Sequence, residues 1–140
     1  MSPVISSKKE IEVRFSEVDS LRMVWHGNYL RYFEDGREDL GKSYGLGYLE
    51  VYANGFVTPL VKSELDYKRP LRYGDTAIVE TTFVNDPAAK LIFEYSIFNA
   101  KTGELVCTGR TVQVFLNTEG ELQLNAPEFF LEWKKHIGIH

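Results

Sequence analysis

The sequence predicts an α+β domain in which one long helix packs on a strongly curved, mainly antiparallel sheet. Three observations carry this. Between Asn28 and Tyr44 apolar residues recur at the helical period of about 3.6, the longest such stretch in the chain. From Val61 to Leu116 four segments are short and rich in β-branched and aromatic residues, with turns of Gly, Asn, Asp and Pro between them. No helical crossover separates those later strands, so antiparallel connections dominate.

Taken in order, residues 1–9 are polar and read as a frayed or weakly attached start. In Glu10–Phe15 the residues Ile11, Val13 and Phe15 alternate with Glu12 and Arg14, a half-buried first strand. Ser16 to Gly27 has no clean period and reads as a loop. Beyond it Tyr29, Phe33, Gly36, Leu40 and Tyr44 fall on one helical stripe, flanked by Leu30, Tyr32 and Arg37. Arg31 with Asp35 and Glu38 with Lys42 are spaced to form i,i+4 ion pairs. Asn28 is a good N-cap type, and Gly45 and Gly47 are good terminators. Gly36 costs such a helix about 1 kcal/mol relative to Ala; on a buried stripe it predicts a close approach by another backbone.

Residues 45–60 read as an irregular connection with a helical turn near Tyr48–Tyr52. Val61–Lys68 is a second strand ending before Pro70, and Tyr73-Gly-Asp75 a turn. Ala77–Val84 is a third strand, Leu91–Ile97 a fourth with a clear period-two face, and Leu105–Leu116 a fifth. Gly109 inside the fifth invites a bulge or a close contact. Glu121–Leu124 is short enough only for a brief pairing. A last helix starts near Pro127, with Phe130, Trp133 and Ile137 along one side.

The chain has 140 residues, enough for one domain, residues 1–140, with a single core. No apolar run is long enough to span a bilayer, and the first residues lack a signal-peptide apolar region; a cytoplasmic protein is the expectation. A net charge of −4 argues against generic nucleic-acid binding. Cys107 is the only cysteine, so no internal disulfide can form and no zinc-ligand cluster is visible.

Asp19 leads the chemical candidates. A loop aspartate is commonly a turn residue or cap, but Asp19 lies too far upstream to cap a helix starting near Asn28. Its neighbours Val18, Leu21, Met23, Val24 and Trp25 are apolar. A carboxylate held there could act as a general base on water or as a nucleophile on an acyl carbon. His26 reads either as a structural side chain or through its backbone. Unpaired N–H groups at a helix start, here those of His26 and Gly27, can stabilise a developing oxyanion. Cys107 reads as a small buried apolar residue. No G-x-S-x-G, G-x-G-x-x-G or Walker pattern occurs. Lys68, Arg69 and Arg72, with Lys62 and Lys90, are either solvated charge or contacts for substrate phosphates.

Asp19-Ser-Leu-Arg-Met-Val-Trp-His-Gly-Asn-Tyr29, followed by Tyr32-Phe-Glu34 and Arg37, resembles the signature of the hotdog-fold acyl-CoA thioesterases. The nearest branch by this pattern is that of 4-hydroxybenzoyl-CoA and Tol-Pal-associated thioesterases. Thr58-Pro59, Leu65-Asp-Tyr67, Pro70 and Tyr73-Gly-Asp75 extend the likeness over most of the chain. It implies a hotdog fold, a sheet wrapped around a central helix, with subunits joined edge to edge as a dimer or dimer of dimers, giving a homotetramer. It implies an acyl-CoA substrate, with CoA as part of the substrate and no cofactor or metal. By position Asp19 matches the catalytic carboxylate and the His26 N–H the carbonyl-polarising group. Trp25, Gly27, Asn28 and Tyr29 match the helix opening, and Thr58 a pocket wall from a neighbouring subunit. Arg22, Lys68, Arg69 and Lys90 are the positive charges expected near substrate. Two departures are visible: Glu17 replaces the first Asp of the usual pair, a minor change, and Leu21-Arg22 stands where small residues are common. That bulk keeps open a non-catalytic module binding acyl-CoA or acyl-carrier protein; a hotdog dehydratase is a weaker third reading.

Overall fold

In the computed structural model, which describes residues 3–139, seven strands and three helices build the chain. They are β1 (Ser6–Glu12), α1 (Tyr29–Tyr44), α2 (Tyr48–Ala53), β2 (Phe56–Val57), β3 (Leu60–Tyr67), β4 (Thr76–Val84), β5 (Lys90–Asn99), β6 (Leu105–Val114), β7 (Leu116–Asn117) and α3 (Glu128–His136). Short 3-10 turns occupy Phe15–Glu17 and His26–Asn28. The main sheet has the order β1-β4-β5-β6-β3, antiparallel throughout, and β2 pairs with β7.

The period-two pattern decides which face meets the helix. Leu91, Phe93, Tyr95 and Ile97 on β5 are buried, as are Ala77, Val79, Thr81 and Phe83 on β4, and α1 packs against β1, β4 and β5. Phe33 of α1 stacks on Tyr95, ring centroids 4.3 Å apart. Two glycines make this fit possible. A Cβ on Gly36 would collide with Thr81 Oγ1 and lie 2.8 Å from Val79 Cγ1, so it is side chains of β4, and not the expected backbone, that pack directly against the helix here. A Cβ on Gly109 would strike the Phe33 ring and lie 2.5 Å from the Glu64 carbonyl. The Gly109 position is therefore a close contact; the register irregularities fall elsewhere, between Ile97 and Phe98 and between Leu60 and Lys62. Gly45 ends α1 in the left-handed region, φ 77°, as a C-terminal glycine should. Trp133 of α3 donates its indole N–H to the Tyr44 carbonyl at 2.6 Å, fastening α3 to the end of α1.

Four expectations are corrected. The first strand begins at Ser6, because Ser6–Lys9 pair with Val79–Thr82 although their side chains are polar. It ends at Glu12, and Phe15 is 75% exposed in a 3-10 turn instead of facing the core. Asn28 does not cap α1; its amide nitrogen donates to the Glu17 carbonyl at 2.9 Å. Neither Arg31–Asp35 nor Glu38–Lys42 pairs among the described residues; Glu38 accepts instead from the Tyr48 backbone N–H at 3.1 Å.

The edge strand β3 is the least covered element. Seven of its eight residues are exposed and only Leu65 is half-buried. A long edge of this kind leaves backbone donors and acceptors available for pairing. No helix among the described residues is long and apolar enough to cross a membrane.

Candidate active site

A buried carboxylate joins the Asp19 loop to α1. Glu17 is 8% exposed. One of its oxygens accepts the Tyr32 hydroxyl at 2.9 Å and the Arg14 N–H at 2.8 Å. Its backbone carbonyl accepts the Trp25 N–H and the Asn28 side-chain amide, both at 2.9 Å. Burial, then the Glu17 carboxylate, push the Tyr32 hydroxyl far above the ordinary phenol range, so it stays a donor. The replacement of Asp by Glu at position 17 is thus no minor departure, since the longer side chain reaches Tyr32 fifteen residues on.

Two residues beyond Glu17, the chain makes a tight hairpin. Val18 bridges Val24, and Met23 bridges Arg72 beyond β3. The Asp19 N–H donates to the Met23 carbonyl and the Arg22 N–H to the Asp19 carbonyl, each at 2.9 Å. One Asp19 carboxylate oxygen accepts the Leu21 N–H at 2.9 Å, while the side chain stays half-buried beside open space. Arg22 sits at φ 64°, the one non-glycine residue in the left-handed region among those described. That conformation favours glycine, which explains why a small residue would be usual here.

Asp19 and Arg22 line an open pocket of about 620 Å³ together with Phe15, Val18, Arg72 and Tyr73. Phe15 and Tyr73 meet edge to face with centroids 5.6 Å apart. The pocket thus offers one carboxylate, two guanidinium groups and an aromatic wall. Arg72 is a sequence candidate that the fold brings to Asp19; Phe15, read as a strand residue, and Tyr73, read as part of a turn, were not marked in the sequence as site residues.

At the helix mouth, His26–Asn28 form the 3-10 turn that leads into α1. The Asn28 N–H is used by the Trp25 carbonyl at 2.9 Å. The N–H groups of His26 and Gly27 meet no acceptor elsewhere among the described residues, as the geometry of a helix start requires. The half-exposed Trp25 ring lies where a Gly27 Cβ would be, so a larger residue there would require the ring to move. The exposed His26 ring lies against Trp25, centroids 4.9 Å apart. Tyr67 donates its hydroxyl to the His26 carbonyl at 3.2 Å, which fixes the turn from β3. Tyr29 is buried, and its hydroxyl accepts the Leu71 N–H at 3.3 Å.

The remaining candidates lie apart. Lys68 and Arg69 follow β3, their N–H groups bonded to the Val106 carbonyl. The Arg69 guanidinium pairs with Glu104 at 2.9 Å. Lys90 opens β5 and lines a groove on the sheet face away from α1, with Lys62, Asp86 and Arg110. Thr58 is buried, its carbonyl accepting the Gln113 amide at 2.6 Å, in a separate pocket with Arg37. Cys107 is fully buried and its thiol is pushed up to about 11, first by desolvation, which makes it a poor nucleophile. Among the described residues, no group of three or more His, Cys, Asp or Glu side chains is placed to hold a metal ion.

Comparison with known proteins agrees with this architecture. The chain is 35% identical over 127 residues to a putative acyl-CoA thioesterase, YneP, of Bacillus subtilis, covering 91% of each chain. It is 26% identical over 110 residues to the chloroplastic acyl-acyl carrier protein thioesterase ATL3 of Arabidopsis thaliana, covering 79% of this chain and 58% of that one. The crystal structure of a DHNA-CoA thioesterase from Staphylococcus aureus superposes with a TM-score of 0.84 at 28% identity, covering 93% of this chain and 87% of the other. The five-stranded antiparallel sheet around a long central helix is the hotdog fold. The profile of the family described as the thioesterase-like superfamily matches residues 13–134, and the chain belongs to that superfamily.

Proposed function

We propose that this chain hydrolyses acyl-CoA thioesters to the free acid and CoA thiol, with Asp19 as nucleophile or general base. The observation that carries the reading is the pairing of a half-buried carboxylate with the start of α1 through the shared Glu17 anchor. The thioester carbonyl lies at the helix mouth, where the His26 N–H, aided by that of Gly27, donates to the oxygen as it gains negative charge. Asp19 then either attacks the carbonyl carbon and expels the CoA thiolate to form a mixed anhydride, which water cleaves, or takes a proton from a water that attacks the carbonyl and displaces the CoA thiolate. Arg22 and Arg72 hold the negative end of the substrate at the pocket rim. The reading assigns no step to a cofactor. Within the superfamily, the run from Asp19 to Tyr29 favours the branch of 4-hydroxybenzoyl-CoA and Tol-Pal-associated thioesterases.

The exposed length of β3 supports edge-to-edge pairing with a second copy, and a dimer of dimers as the larger assembly. A panel of acyl-CoAs and acyl-carrier-protein thioesters, read by release of free thiol, tests the function. Thiol release from CoA esters is expected. Saturable binding of acyl-CoA without release would make the chain a binding module instead, and release from carrier-protein esters alone would move the substrate class.

A further inference from the structure

The open edge of β3 carries a charge pattern that bears on how it pairs. β3 ends the main sheet and pairs only with β6 among the described residues, in the register Lys62↔Val112, Glu64↔Arg110 and Asp66↔Thr108. The Lys68 N–H donates to the Val106 carbonyl at 2.8 Å, which extends that register by a further rung. Alternate residues of an antiparallel ladder turn their backbone groups to opposite sides. Lys62, Glu64, Asp66 and Lys68 thus bond toward β6, and Ser63, Leu65 and Tyr67 present N–H and C=O to the open edge. Side chains alternate too. A Cβ on Gly109, opposite Leu65, would strike Phe33 of α1, so Leu65 faces the helix and Lys62, Glu64 and Asp66 face away from it.

A second copy pairing antiparallel on this edge must set edge-facing residues against edge-facing residues. The two-fold axis therefore passes through a residue and not between two. Charge on the outer face decides which residue, within the regular run Lys62–Tyr67 beyond the irregularity at Leu60–Lys62. An axis through Lys62 sets lysine against lysine, and one through Glu64 sets glutamate against glutamate. An axis through Leu65 sets Glu64 against Asp66, and one through Asp66 sets aspartate against aspartate. Like charges directly opposite destabilise a ladder. Tyr67 is the last residue of β3 and leaves no further rung. Only Ser63 remains. There Lys62 falls opposite the partner's Glu64, and Glu64 opposite the partner's Lys62. Within one copy Lys62 Nζ already lies 2.9 Å from Glu64 Oε1, and both side chains are exposed. The four side chains then alternate in sign around a square.

Resting on the edge-pairing reading, we propose that two copies of this chain join through β3 with the two-fold axis at Ser63, the square of Lys62 and Glu64 setting the register. The partner's Pro59 then lies across from Tyr67, whose hydroxyl holds the His26 carbonyl, so each copy borders the other's helix mouth.

Cross-linking and charge reversal test this together, on full-length protein and at exposed positions. In this register the two Ser63 Cα atoms lie about 5.5 Å apart, within the roughly 4.4–6.8 Å that a disulfide spans. The two Glu64 Cα atoms are offset by about 6.6 Å along the strands, about 8 Å apart in all, and cannot be bridged. Under diamide, Ser63→Cys should form a disulfide-linked dimer at least ten-fold faster than Glu64→Cys, while the wild type, with Cys107 fully buried, forms none. By sedimentation, Lys62→Glu and Glu64→Lys should each self-associate about ten-fold more weakly than wild type. An equimolar mixture of the two should regain the wild-type affinity, because the acidic square of one meets the basic square of the other. Cross-linking of Glu64→Cys as fast as Ser63→Cys, or faster, overturns the register and leaves edge pairing standing. A Ser63→Cys cross-link with reversals that associate like wild type overturns the role of the square. A dimer that neither cysteine cross-links, or a wild-type chain that stays a monomer at every concentration, overturns edge pairing as well. Thiol release from the same preparations reports on the hydrolase reading separately.

Discussion

Replacing Tyr32 with Phe removes one hydroxyl and tests whether Glu17 organises the site. The Tyr32–Glu17 bond is 2.9 Å long, and the two residues are 1% and 8% exposed. Its loss leaves the carboxylate with the Arg14 N–H as its remaining protein donor. A buried hydrogen bond to a charged group is worth about 1.5–3 kcal/mol, so Tyr32→Phe should cost about 2 kcal/mol. For a domain of this size that lowers Tm by roughly 6–10 °C. Because the Glu17 carbonyl also holds Trp25 and Asn28, a looser Glu17 lets the Asp19 hairpin drift from the helix mouth, and kcat should fall about ten-fold. Glu17→Gln keeps an acceptor for Tyr32 and should cost about half as much. Denaturant melts and thiol-release kinetics on the same preparations measure both effects. A Tyr32→Phe protein melting within about 1 °C of wild type with unchanged turnover would refute the argument.

Two further perturbations address the scaffold. Gly36→Ala gains about 1 kcal/mol of helix propensity, but the new methyl meets Thr81 Oγ1 and Val79 Cγ1, both buried. Overpacking at about 1–3 kcal/mol should win, giving a net loss of about 1 kcal/mol in urea unfolding, and a smaller loss in a Thr81→Ala background. The Cys107 thiol, pushed up from 9.0 to about 11 by burial, ionises less readily folded than unfolded. The stability this gives is fully present below the ordinary thiol pKa and is lost as pH rises through about 11, roughly 2–3 kcal/mol in all. Tyr95, raised by desolvation, acts with the same sign. The urea midpoint should therefore fall above about pH 9, less steeply in Cys107→Ala, and the native thiol should resist alkylation near neutral pH.

How far the sequence revealed this molecule depended on the range of each interaction. The α1 stripe and the alternation of Leu91, Phe93, Tyr95 and Ile97 are local patterns, and both elements stand where those patterns put them. Gly36 was legible because a glycine on a buried stripe has few other uses. Ser6–Lys9 were not, because their pairing with β4 is backbone-driven and their side chains are polar. Phe15 misled because alternation continued one residue beyond the point where the chain turns after Val13, whose N–H bonds to the Asp75 carbonyl. In the site, Asp19 and the helix mouth were marked by a contiguous run. Glu17 with Tyr32, and Thr58 with Gln113 and Arg37, are joined by side-chain bonds across 15 to 76 residues that leave no local pattern. Arg37 reads in the sequence only as a residue flanking the stripe, whereas the fold encloses it between the Tyr48 and Phe93 rings.

The central claim is that Asp19 performs the chemistry, and Asp19→Asn isolates it. The asparagine side chain retains an oxygen to accept the Leu21 N–H, so the hairpin is kept while the carboxylate is lost. Measured by thiol release from the best acyl-CoA of the panel, kcat should fall by about 10²–10⁴-fold with Tm unchanged. A folded Asp19→Asn protein that turns over acyl-CoA at nearly the wild-type rate would contradict the account.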